Sequence, residues 1–229
     1  MTELSNRPGR AAADYRSPAM AGRRVFGLLR LGAGTAVLTA VVAQIADQVA
    51  AGAFAPAEYF SYFTVQSSLV NVVVLLVGAW LALRRRSDPE LFTAVRMSTV
   101  AYAAVTCVVY NVLLRDLPGD GYDGLAWPGE LMHVWVPVFI AVEWVLAPGR
   151  AVLGWGRIGT AVCFPLAWLA FTLVRGVLTG WYPYPFLNPD GPDGPVSVIV
   201  YVVAISAFII AVSSLSIAVS RAGAARSAP

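Results

Sequence analysis

Residues 59–83 read YFSYFTVQSSLVNVVVLLVGAWLAL without one charged side chain, and Arg84-Arg85-Arg86 close the run. A helix rises 1.5 Å per residue, so a stretch of this length reaches across the roughly 30 Å hydrocarbon core of a bilayer. A strand or an ordinary core helix needs no such run. Five more stretches of the same kind lie at about 30–53, 91–114, 127–146, 158–178 and 196–219. The segments between them hold Pro, Gly, Asp and Arg, which is turn chemistry, and none is long enough to separate two domains. The reading is one all-α integral membrane bundle of six transmembrane helices over 25–220, with a disordered N-terminal segment 1–24 and a tail 221–229. Pro128 and Pro137 interrupt the fourth span, and a kink covered by neighbouring helices absorbs Pro137.

Composition agrees. Of 229 residues 58% are hydrophobic and only 13% charged, too few charges to coat a water-soluble fold of this size. The net charge of +3 comes from arginine alone, spread over loops rather than gathered on one face, which argues against a nucleic-acid partner. Arginine without lysine, with much Ala, Val and Gly, points to a GC-rich bacterial genome and hence to a bacterial inner membrane. Cys107 and Cys163 fall inside apolar runs and read as small buried hydrophobes. No Cys/His spacing calls for a metal, and no cofactor motif is present. The first 24 residues carry five arginines and no apolar core, unlike a secretory signal peptide.

Orientation follows from the arginines, because cytoplasmic loops retain the cationic excess. The N-terminal segment through Arg30, the second loop with Arg96, the fourth loop and the tail hold 14 of the 16. Both termini are therefore expected in the cytoplasm, with Arg115 and Arg175 on the far side.

That topology gives each polar residue a depth. Gln44, Asp47 and Gln48 share one face of the first helix near its exit, and Thr64, Ser67, Ser68 and Asn71 form a stripe where the second begins. Asn111 and Arg115 end the third span, His133 lies in the first turns of the fourth, and Arg175 ends the fifth. Ionisable groups at membrane depth usually face the bundle interior, so a polar pocket is expected at the outer end. The competing reading is polar glue between helices, with the arginines snorkelling to headgroups. Glu143, ten residues beyond His133, is about 15 Å deeper; it is too far to orient His133 and is expected at the inner headgroups. Trp181, Tyr182, Tyr184 and Phe186 alternate with Pro183 and Pro185, a pattern read as an ordered aromatic lid over the helix ends or as an interfacial anchor.

Tyr62-Phe63-Thr64, Met132-His133 with Pro137 and Glu143-Trp144, and the run Gly180-Trp181-Tyr182-Pro183-Tyr184-Pro185-Phe186-Leu187 resemble the androgen-induced membrane protein family, across all six spans. The resemblance implies a threonine-type hydrolase of fatty acid esters, with Thr64 as nucleophile and His133 as base. Val65-Gln66-Ser67-Ser68 and Glu143 depart from the family pattern, and the His133 to Pro137 spacing is one shorter. The chemistry is coherent, since a threonine hydroxyl needs a base within hydrogen-bond reach and His133 is the only histidine. Arg175 or Arg115 would meet a lipid carboxylate, with Asp47, Ser67, Ser68, Asn71, Asn111 and Tyr182 lining the pocket. The alternative is a non-catalytic protein binding a lipid or small amphiphile there.

Overall fold

The computed structural model describes residues 18–115, 124–192 and 194–225, and all regular secondary structure among these described residues is helical. α1 spans Pro18–Ala50. A single turn, Pro56–Tyr59, leads into α2, Phe63–Arg84. α3 runs Glu90–Val109 and continues as a π turn, Tyr110–Leu114. α4 spans Ala126–Leu146, α5 Ile158–Thr179 and α6 Gly194–Ala225. These six helices are long and apolar enough to cross a membrane, the arrangement of a multi-pass membrane protein.

α3 is the hub. It packs against α2, α4, α5 and α6, while α1 lies mainly along α2. Ala94, Ala101 and Ala103 keep the α3 surface low enough for neighbouring backbones to approach, and Met97, Tyr102 and Val105 fill the space between them. Successive helices alternate in direction, so the bundle has two ends. One gathers the arginines. The other carries the segment 180–192, called the lid end below.

α1 begins at Pro18, inside the stretch expected to be disordered, and well before the apolar run at 30. The reason is chemical: Arg23 and Arg30, placed outside or at the edge of the span by a hydropathy reading, are held within the bundle by carboxylates, and helix forms around them. Residues 1–17 and the end of the tail lie outside the described residues.

Two π turns lie beside each other at the lid end. In α3 the Arg115 amide reaches back five residues to the Tyr110 carbonyl at 2.8 Å. In α4 the turn Leu131–Trp135 directly precedes Pro137, and the Val136 amide bonds Leu131. Proline has no N–H for the carbonyl four residues back, and the widened turn takes up that mismatch. The kink expected at Pro137 takes this form.

Candidate functional site: an apolar cleft and a buried ion cluster

At the lid end a cleft with a cavity volume of about 80 Å³ opens to its surroundings. Its walls come from the start of α2, the end of α3, α5, α6 and the lid. Val105, Val109, Leu166, Leu169, Val202 and Ile205 make it overwhelmingly apolar; hydroxyls of Thr64, Thr106 and Ser206 are its small polar groups. The polar pocket expected from helix-end residues is not what forms. Of the residues expected to form that polar pocket, only Thr64 lines this space, together with Tyr184 and Phe186 of the expected lid.

The others find partners elsewhere. Asp47 accepts the Leu125 amide at 2.9 Å, tying the end of α1 to the start of α4. The Ser67 hydroxyl donates to the Thr64 carbonyl at 3.2 Å and lies 3.5 Å from the Thr106 hydroxyl. Ser68 and Asn71 are buried, and Asn71 Oδ1 has no hydrogen-bond partner. Asn111 accepts from Arg115 Nε at 2.9 Å, and Arg115 also pairs with Glu130 at 3.0 Å. Tyr182 lays its ring on Gly176, where an added Cβ would come within 2.0 Å of it.

His133 stacks face to face on Tyr110, centroids 3.8 Å apart and planes 17° apart, so the stacked pair bridges the two π turns. Its Nδ1 lies 2.8 Å from the Gly129 carbonyl. A carbonyl only accepts, so Nδ1 carries the proton and Nε2 of the neutral ring is the basic nitrogen. Tyr110 lines the cleft and His133 does not. No hydrogen bond joins His133 to Thr64. The Thr64 amide instead points at the Tyr184 hydroxyl, 3.4 Å away. Burial pushes the Tyr184 phenol up to about 12, so it stays protonated and able to donate.

The lid is packed. Tyr184 and Leu187 are buried, and the Tyr62 ring meets both Trp181 and Tyr184 edge-on at 5.7 Å. Gly180, with φ +72°, turns the chain out of α5 as only glycine readily does.

The strongest concentration of charge lies at the opposite end, and the sequence reading missed it. Arg23 binds Asp88 at 2.7 Å, Asp88 binds Arg96 at 2.6 Å, and Arg96 binds Glu143 at 2.6 Å. The same Glu143 oxygen accepts from Arg30 Nε at 2.8 Å and from its Nη2. None of the five side chains exposes more than 5% of its surface. Backbone carbonyls take further donors: Arg85 and Pro148 from Arg23, Gly78 from Arg30. Trp144 lies between Arg96 and Arg150, with both guanidinium carbons within 6 Å of its ring.

Glu143 is thus at the centre of a cluster of three cations and two anions joining α1, α2, α3, α4 and two loops. One signal could have found it. Glu143 is an acidic residue within an apolar span, and its depth in α4 matches that of Arg30 in α1 and Arg96 in α3. Both cysteines are free.

The class defined by these features is an all-helical bundle with six helices long and apolar enough to span a membrane, an apolar cleft at one end and buried ions at the other. No family model matches the chain, and no curated protein and no solved structure shows significant similarity to it.

Proposed function

We propose that this chain is a multi-pass protein of the bacterial inner membrane, with both termini cytoplasmic, that takes the acyl chain of a lipid or lipid ester into the cleft at the lid end. The observation that carries this reading is the cleft's lining: aliphatic and aromatic walls with a few hydroxyls suit a hydrocarbon chain with one polar group near Thr64 and Tyr184. The arginine distribution supports the orientation.

A second reading, ester hydrolysis with Thr64 as nucleophile, draws on the family resemblance and on two features of the site. Thr64 faces the cleft, and the neutral form of His133, its Nδ1 proton given to the Gly129 carbonyl, offers Nε2 as a base. Reaction requires the Tyr110 ring to move so that Nε2 comes within about 2.6–3.2 Å of the Thr64 hydroxyl. His133 would then take the hydroxyl proton as Oγ1 attacks the ester carbonyl, and return it to the leaving alcohol.

The test uses purified protein and a fatty acid carrying a diazirine on its chain. Photolabelling of cleft segments, suppressed by unlabelled fatty acid, is expected; labelling spread evenly over all six helices would refute the cleft. Turnover of a medium-chain acyl ester that is abolished by both Thr64→Ala and His133→Ala supports hydrolysis. Turnover untouched by either substitution removes that reading and leaves binding.

A further inference from the structure

Two arginines lie near the lid end, and they differ in what satisfies them. Arg115 is engaged by Asn111 and Glu130, with its guanidinium carbon 5.2 Å from the Tyr110 ring. Among the described residues Arg175 has no such anion. Its Nη1 is buried without a hydrogen-bond partner, and its guanidinium carbon is 4.4 Å from the Trp181 ring centroid. A buried cationic donor left unmet is costly. Arg175 as a whole is half-buried and borders a surface groove on α5, so an acceptor from the surroundings meets Nη1 when the guanidinium turns outward, and that removes the cost.

The guanidinium is also held in position. The Thr179 hydroxyl donates to the Arg175 carbonyl at 2.9 Å and accepts the Trp181 amide at 3.3 Å. This fixes Trp181 over Arg175 just where Gly180 turns the chain. Beside Arg175 a shallow groove runs along α5 past Ala170, Phe171, Val174 and Leu178. Phe171, Val174 and Leu178 are exposed, so this face looks away from the bundle. Arg175 stands one turn from the end of α5, and Phe171 and Ala170 lie roughly 6 to 8 Å further toward the middle of the helix. The order from rim to centre is a cation and then hydrocarbon-compatible surface, the order of a lipid headgroup and its chain.

We propose that Arg175 and Trp181 form a binding site for an anionic phospholipid of the surrounding leaflet, the phosphate accepting from the guanidinium and one acyl chain lying against Phe171 and Val174. The site is on a different face of α5 from the cleft, whose walls use Val162, Pro165, Leu166 and Leu169. It therefore stands or falls separately from the cleft reading. Arginine suits the role because its planar fork offers two parallel donors to a phosphate and stacks on indole.

The test uses the full chain reconstituted in bilayers containing phosphatidylglycerol or phosphatidylcholine with a diazirine on one acyl chain. Phosphatidylcholine offers the same phosphate but offsets it with its choline cation, so phosphatidylglycerol is expected to label the 170–179 segment about fivefold more, the factor set by the net headgroup charge facing one arginine. Arg175→Gln should bring the two lipids level, and Arg175→Lys should restore part of the preference. Arg115→Gln should leave it intact. Equal labelling by both lipids in the parent protein, or a preference that survives Arg175→Gln, would overturn the proposal. So would stronger labelling of this segment by a diazirine fatty acid than by phosphatidylglycerol, which would make the ligand a free acid.

Discussion

Replacing Glu143 by glutamine changes almost no volume, so its effect isolates the charge. In the parent protein one carboxylate oxygen accepts from Arg30 and Arg96 together, and the second carboxylate, Asp88, serves Arg23 and Arg96. The cluster carries three positive and two negative charges, a net +1. Glu143→Gln makes it +2, among side chains that expose no more than 5% of their surface. Removing one partner from a buried pair costs about 3–5 kcal/mol. For a chain of this size each kcal/mol moves the melting temperature about 2–4 °C, so a fall of roughly 6–20 °C is expected. The assay is thermal unfolding of the purified protein in detergent.

Glu130→Gln is the control. Glu130 and Arg115 are about 40% exposed, and an exposed pair is worth at most about 1 kcal/mol. The double variant Arg30→Gln with Glu143→Gln returns the cluster to +1 and should melt above Glu143→Gln alone. A Glu143→Gln melting temperature within about 3 °C of the parent, or no recovery in the double variant, would refute the reasoning.

Gly149 has φ +87°, and a Cβ there would stand 1.9 Å from Arg23 Nη1; Gly149→Ala is expected to destabilise by about 1–3 kcal/mol or more, read in the same melt, and an unchanged melt would exclude that close approach. Tyr110 covers the only histidine, so Tyr110→Ala should speed carbethoxylation of His133 by diethyl pyrocarbonate, followed in the ultraviolet, while Tyr110→Phe behaves as the parent; equal rates for all three would show that the ring shields nothing. Tyr184 remains protonated up to about pH 12, so cleft binding should show no titration from it between about pH 6 and 9, and Tyr184→Phe should leave the pH profile flat; a step in that range lost in Tyr184→Phe would contradict the burial. A C-terminal fusion should be active only with a reporter that works in the cytoplasm, and activity of an outside-only reporter there would reverse the orientation.

The six helices were legible because a membrane span is a local property: a run of apolar residues of sufficient length needs no knowledge of its neighbours. Helix ends were less so. Hydropathy treats every arginine as a reason to stop, and α1 continues through Arg30 and Arg23 because Asp88 and Glu143 are waiting for them. The site was legible only in part for the same reason. Helical spacing correctly placed Asp47, Thr64, Asn111 and His133 near one end, but spacing along one helix says nothing of partners across helices. Asp47 is taken by an amide 78 positions away, and His133 by the ring of Tyr110, an aromatic that no polar-residue search would select.

The buried cluster also bears on how arginines report orientation. Fourteen of the 16 lie toward one end of the bundle by sequence order, and the positive-inside rule counts them as if each were a loop charge repelled from translocation. Arg23, Arg30 and Arg96 are not loop charges in the folded protein, since each is paired inside the bundle with a carboxylate that it shares with another of the three. Discounting all three leaves eleven against two, so the orientation does not depend on them. Their placement constrains assembly instead. Arg30 belongs to the first helix and Glu143 to the fourth, and a charge at membrane depth is tolerated only once its partner is beside it. A bundle whose first helix carries an unmet arginine until the fourth arrives is held to one arrangement of α1, α3 and α4. The two ends of the molecule thereby divide the work: ionic contacts fix the helices at the arginine end, and the lid end, joined mainly by aromatic contacts, keeps an apolar cleft open.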